Sequence, residues 1–139
     1  MLKNFVCLCL ILGFTGMMIT ACTPSDPQDQ PPGTILRIIS PDTQTIYITQ
    51  TDLDSLPQLT IGVVGVDESG PSLLDVLALA GVSSFDEVTL TGNSSISLDA
   101  AQVTANVILS QTTRGKVKLV AESIPRRDWV TDIKLIEAK

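Results

Sequence analysis

Twelve residues near the start of the chain, Thr23–Thr34 (TPSDPQDQPPGT), contain four prolines and no aliphatic side chain, and they limit what the rest can fold into. Such a stretch has nothing to bury and is biased toward extended backbone, so it reads as a disordered tether. At about 3 Å per residue it can hold a domain on its C-terminal side roughly 35 Å from Cys22. The fold must then be made by residues 35–139, a single globular domain near the lower edge of the usual size range. No cysteine lies in that range. Without disulfides, burial alone has to hold the domain together.

The residues before the tether also stand apart from the fold. Lys3 supplies a short basic start, and Phe5–Thr20 is an uncharged run carrying Leu8, Leu10, Ile11, Leu12, Phe14 and Ile19. It has the length of a signal h-region and falls short of the roughly 20 apolar residues that span a bilayer. Ile19-Thr20-Ala21-Cys22 matches the lipobox of bacterial lipoproteins: an aliphatic residue at −3, small residues at −2 and −1, then cysteine. Small side chains let an extended peptide enter a tight protease site. The expectation is a signal peptide over 1–21, lipidation of Cys22 with fatty acyl chains such as palmitate, and a tether over 22–34. The domain is then held on a membrane, facing the periplasm or the cell exterior.

The same cysteine narrows the chemistry. Cys7 and Cys9 fall in the discarded segment, Cys22 goes to lipid, and the chain has no histidine. This excludes Ser-His-Asp and Cys-His catalysis and the thiolate or imidazole sites for zinc, copper, haem and iron–sulfur clusters. The acid pairs Asp52/Asp54, Asp67/Glu68 and Asp86/Glu87 fall at expected turns and helix starts, where carboxylates cap and solvate. Gly62, Gly65 and Gly70 lack the spacing and the following Lys-Ser/Thr of a phosphate loop. Charge is uneven. From Cys22 to Thr113 there is one base, Arg37, against eleven acids, whereas from Arg114 onward there are seven bases against four acids. The acidic balance argues against a nucleic-acid partner. Within the basic third, Arg126-Arg127-Asp128-Trp129 sets two guanidinium groups beside an indole. They can clamp a planar anion, or Trp129 can cover one end of the core while the arginines stay in water.

Residue patterns predict an α+β fold, mostly antiparallel sheet with one main helix and two short ones. Strands are expected at 35–39, 45–49 and 59–66, the last with a bulge at Gly62, then a turn at Asp67-Glu68-Ser69-Gly70. The main helix starts at Ser72 with Asp75 three residues later, and Gly81 stops it. Leu74 and Leu79 widen its apolar face, as in a helix buried against a sheet. One short helix is expected over 51–56 with a threonine cap, and another over Ala100–Ala105 capped by Asp99. Hairpins are expected around Gly92-Asn93-Ser94 and Thr113-Arg114-Gly115, with Lys116 and Lys118 on the wet face of a half-solvated strand. A last strand runs over 132–137.

Taken in order, Thr51-Asp52-Leu53-Asp54-Ser55-Leu56-Pro57, Gly70-Pro71-Ser72-Leu73-Leu74-Asp75-Val76-Leu77, Ala80-Gly81-Val82, Val88-Thr89-Leu90 and the ending Trp129–Glu137 resemble the molybdopterin-binding domain of sulfite-oxidase-type oxidoreductases. The resemblance covers about residues 45–139 and implies that fold, with molybdopterin as the family's cofactor. Catalytic members hold molybdenum through a cysteine thiolate and use histidine and arginine around the pterin; this domain has neither cysteine nor histidine. The expectation is a non-catalytic module with no cofactor, binding a small ligand or a partner protein. Arg114, Arg126, Arg127 and Trp129 are the candidate contacts for an anion. The alternative is a redox accessory, working with a redox partner, that holds a pterin non-covalently through its basic third. Val64-Gly65-Val66 with Ser72–Gly81 is also similar to soluble-ligand-binding β-grasp domains of exported proteins, which implies an envelope scaffold.

Overall fold

A computed structural model describes residues 30–139. The signal segment 1–21, Cys22 and the tether as far as Asp29 lie outside the described residues. A turn in which Thr34 N donates to Pro31 O (3.3 Å) leads directly into β1 (Thr34–Ile39), so the first strand begins one residue inside the expected tether.

β1 and β2 (Thr45–Thr49) form an antiparallel hairpin. Helix α1 (Gln50–Ser55) comes next without a linker, because Thr49 ends the strand and caps the helix at once. Its hydroxyl accepts from Asp52 N at 3.3 Å, and its own N–H donates to Asp52 Oδ2 at 2.8 Å, a complete capping box. Bonds from the Thr49 backbone and hydroxyl hold the Asp52 carboxyl below its ordinary range. Pro57 stops the helix, and Leu53 is its buried residue. β3 (Gln58–Val63) and β4 (Val66–Pro71) form a second hairpin, and α2 (Leu73–Leu79) starts at the Ser72 cap, whose hydroxyl accepts from Asp75 N at 3.0 Å. Two more hairpins complete the series: β5 (Glu87–Thr91) with β6 (Ser95–Asp99), and β7 (Val107–Gln111) with β8 (Val117–Ala121). A single 3₁₀ turn, Arg126–Asp128, precedes β9 (Leu135–Ala138).

The strands make two layers. One is a five-stranded sheet in the order β2-β1-β9-β5-β6, where β9 enters between β1 and β5 and runs parallel to β1; all its other pairings are antiparallel. In the other layer β4 runs beside β7, and Val130–Ile133 flanks β8 through Leu119 N→Val130 O (2.8 Å) and Ile133 N→Val117 O (2.9 Å). One buried cluster joins Leu36, Ile38, Leu90, Leu98 and Ile136 of the sheet to Leu109, Val117 and Leu119 of the β7–β8 hairpin and to Leu73, Val76 and Leu77 of α2.

The chain is α+β and mostly antiparallel, as the patterns predict, but several local expectations fail. Asp67–Gly70 is strand rather than turn: residues 59–66 do not run on as one strand but fold back at Val64-Gly65, and β4 pairs in unbroken register, Gly62 opposite Asp67 with no bulge. Asp, Ser and Gly carry the composition of a turn, yet Gly70 is needed for a different reason. A methyl group there would overlap the Leu109 carbonyl, so only glycine lets β4 and β7 close. Ala100–Ala105 forms no helix. Asp99 O accepts from Gln102 N and Val103 N, then Val103 drops into the core and the chain leaves for β7. Six residues are too few to hold a helix that no apolar face recruits. The second short helix is absent among the described residues, and the 3₁₀ turn lies elsewhere, between β8 and β9. Leu74 and Leu79 of α2 remain exposed. The last strand begins only at Leu135, because Asp132 has φ 54° and breaks the extended run.

Val64 and Gly65 have φ of 48° and 78°, both positive, as a two-residue type I′ turn requires. A β-branched residue fits that region badly, and Val64 is also 85% exposed. Val64→Asn should raise stability by about 1 kcal/mol in urea denaturation. Gly70→Ala should lower it by about 2–3 kcal/mol, because the carbonyl that it meets is backbone.

Candidate functional site

β7 is buried along most of its length, with Val107, Ile108 and Leu109 fully covered and Ser110 2% exposed. Val107 and Leu109 point into the main core, while Ile108 and its β8 partner Val120 point the other way and form a small cluster with Ile61. Trp129 and Val63 pack over that cluster. The indole is fixed by Nε1 donating to Ile124 O at 3.0 Å, and the Arg126 guanidinium lies 5.9 Å from the ring centroid, within cation–π range. Trp129 and Arg126 therefore come together, but as the cover of an apolar cluster.

Beside this cover lies a polar group that local sequence patterns do not reveal. Lys118 Nζ donates to Glu68 Oε1 at 2.6 Å, and Ser110 Oγ donates to Glu68 Oε2 at 3.0 Å. The two charged side chains are only 20% and 14% exposed. Burial by itself raises the Glu68 carboxyl, but the hydrogen bonds from Lys118 and Ser110 and the charges of Lys118 and Arg126 outweigh it and leave it below the ordinary range. Composition puts Glu68 in a solvated turn, and alternation puts Lys118 on a wet strand face; both expectations fail. The signal that connects them is Val120, two residues beyond Lys118 on the same side of β8, which marks that face as apolar.

The remaining arginines go elsewhere. Arg114, in the β7–β8 turn, lines a polar depression of about 360 Å³ with Asn93, Thr112, Lys116, Thr131 and Asp132. Its floor is tied by Asn93 Nδ2→Thr131 Oγ1 (2.5 Å), Thr131 N→Asn93 Oδ1 (3.1 Å) and Asn93 N→Thr131 O (3.0 Å). Gly92 makes the approach possible, since a methyl there would meet the Thr131 carbonyl. Lys116 Nζ is 3.0 Å from Asp132 Oδ2, and Lys134 Nζ is 3.2 Å from Oδ1, close enough for charge attraction though off-axis for a hydrogen bond. The hydrogen bond from Lys116 first, and then the close Lys134 ammonium, keep the Asp132 carboxyl below its ordinary range. Among the described residues Arg114 pairs with no carboxylate; it shares the depression with Lys116 and Asp132, while Lys134 meets the same carboxylate without lining the depression. Arg127 lines a third place, a groove of about 500 Å³ beside β6, and among the described residues its one ionic neighbour is Asp128 at 3.8 Å.

Arg114, Arg126 and Arg127 thus serve three different surfaces rather than one clamp, and Cys22 lies outside the described residues. The donor set does not fit a molybdenum centre of sulfite-oxidase type, because residues 35–139 contain no thiol or imidazole and the guanidinium groups do not converge. Among the described residues no three carboxylates gather closely enough to hold a metal ion. The chain matches no protein-family model, and no curated protein is significantly similar to it.

Because the Glu68 carboxyl is depressed in the folded chain, the stability it contributes is complete above the ordinary carboxylate range and is lost as pH falls through its folded value. Glu68→Gln leaves Lys118 half-buried and unpaired, which should cost about 1–3 kcal/mol at pH 7. Urea denaturation across pH should show the gap between the two proteins closing below about pH 4; a constant gap would mean that the ionised pair contributes nothing.

Proposed function

We propose that the chain is a lipid-anchored, extracytoplasmic binding module, non-catalytic, with a sulfite-oxidase-type fold that has kept its framework without its redox chemistry. The observation that carries the binding reading is the depression at Arg114, lined by Lys116 and by a guanidinium unpaired among the described residues, with Asp132 as its single carboxylate and Lys134 engaging that carboxylate's other oxygen. Threonine hydroxyls and the Asn93 amide line the same floor. Such a site favours a small anionic group presented by a ligand or partner: the guanidinium offers a planar fork of donors, and the site's charge excess draws the anion in. The fold reading is supported by where its motif residues fall. Asp52–Pro57 builds α1 and its stop, Gly70–Leu77 builds the β4–β7 approach and α2, and Thr131–Glu137 leads into β9.

One observation favours the β-grasp reading for the central sheet. The chain's last strand joins β1 in parallel, inside a hairpin-led mixed sheet, and α2 packs into the core cluster of that sheet. This reading implies an envelope scaffold and leaves the tether and the anion site unchanged.

Full-length protein in detergent, titrated calorimetrically with inorganic pyrophosphate, should bind saturably, and Arg114→Ala should weaken binding roughly tenfold. Stoichiometric pterin in protein from its own host, together with reduction of an acceptor dye, would overturn the non-catalytic reading. For the anchor, Cys22→Ser should leave the precursor unprocessed at this position and free of lipid. Detergent-phase partitioning like that of the unaltered chain would remove the lipobox reading.

A further inference from the structure

The groove that receives Arg127 runs along one free edge of the five-stranded sheet. β6 is the edge strand on that side, paired only with β5. Five consecutive residues, Ser94–Leu98, line the groove. Consecutive residues of a strand alternate between its two faces, so a cavity that touches all five lies along the strand's edge.

The ladder shows which backbone groups point into it. Gly92 N→Ser94 O (2.8 Å) and Ala100 N→Asp86 O (2.9 Å) bracket the hairpin, and with the register they make Leu90/Ile96 and Val88/Leu98 the hydrogen-bonded pairs. Glu87 and Thr91 turn the other way, to Lys139 and Lys134 on the β9 side. By the same alternation Ser95, Ser97 and Asp99 direct their N–H and C=O groups outward. Asp99 is satisfied locally, through Gln102 Oε1 (2.9 Å) and the amides of Gln102 and Val103. Ser95 and Ser97 have no backbone partner among the described residues.

Across the groove stand Ile124, Pro125 and Arg127. The space between this wall and β6, about 500 Å³, suits a short extended segment rather than the full edge of a second sheet. The chemistry of that segment is set by the two faces. On the core side it meets Ile96, Leu98 and Ile124; on the outer side it continues the hydroxyl row in which Thr89 and Ser97 are bonded at 2.8 Å. The Arg127 guanidinium, 85% exposed in its side chain, is engaged by Asp128, which lines the same groove, only at 3.8 Å and through Nε, so its outer N–H groups face the groove as open donors. We propose that β6 takes up an extended peptide from a partner protein by strand addition: small apolar side chains inward, serine or threonine outward, and a carboxylate opposite Arg127. This surface is separate from the depression at Arg114 and does not depend on it.

The probe is a fluorescent heptapeptide of alternating valine and threonine with a free C-terminal carboxylate, alongside its amidated twin, titrated into full-length protein in detergent. Saturable binding is expected, with new protection of the Ser95 and Ser97 amides in hydrogen exchange on the unaltered protein. Ser97→Pro removes an outward N–H and leaves the β5 ladder untouched, a substitution that an edge strand tolerates. It should weaken binding roughly tenfold, as loss of strand hydrogen bonds implies, while Ser97→Thr keeps it. Arg127→Gln should reduce affinity for the free carboxylate and leave the amidated twin unchanged. Unchanged exchange at Ser95 and Ser97 with saturating peptide, or no saturable binding, overturns the proposal. So does a dimer that Ser97→Pro converts to monomer and that the peptide fails to compete with, since the edge would then belong to a second copy.

Discussion

The β7–β8 hairpin has to be covered on both faces, and most of the architecture depends on that. Leu109, Val117 and Leu119 on one face and Ile108 and Val120 on the other are all buried to within about 1% of their surface, each contributing roughly 1.5–3 kcal/mol if it is fully removed from water. A two-stranded hairpin cannot supply such cover itself. The five-stranded sheet and α2 close one side; Ile61, Val63 and Trp129 close the other. Residues 35–139 contain no cysteine, so no disulfide staples the domain and this double burial has to hold it.

Close approach is the second condition. β4 can seal the edge of β7 only because Gly70 has no side chain to meet the Leu109 carbonyl, and β4 in turn carries Glu68 to Ser110 and Lys118. Once there, the carboxylate has lost much of its water, and two donors and a cation compensate for it. The pair is thus a consequence of packing: remove the glycine and the acid loses its partners. An ion pair in this position adds little net stability over an apolar replacement, but it penalises any register that leaves one charge alone.

Patterns confined to a few residues were legible. The Ser72 cap with Asp75, the Gly81 stop, the two later hairpins and the lengths of β1 and β2 all depend on neighbours in sequence, and local chemistry decides them. What failed depended on contacts distant in sequence. Asp67–Gly70 has the composition of a turn, but the turn went to Val64-Gly65 because β4 had to continue to Gly70 at β7. Ala100–Ala105 has a cap and helix formers, yet Val103 is drawn into the core after one turn. Lys118 reads as solvated because alternation distinguishes two faces without saying that both are covered.

The basic C-terminal third shows the same limit in the site. Seven bases in twenty-six residues read as one patch, but a hairpin and an inserted strand separate what the sequence places together. Arg114 sits at the turn that enters β8, and Arg126 and Arg127 come after its far end; five residues of extended strand span about 16 Å. The 3₁₀ turn then sends Arg126 over Trp129 and Arg127 toward β6, although the two are adjacent in sequence. Charge density along a chain predicts a binding surface only when the fold keeps those residues on one face. Here it divides them, so bases that are close in sequence line separate surfaces, Arg114 the depression beside Asp132 and Arg127 the groove beside β6.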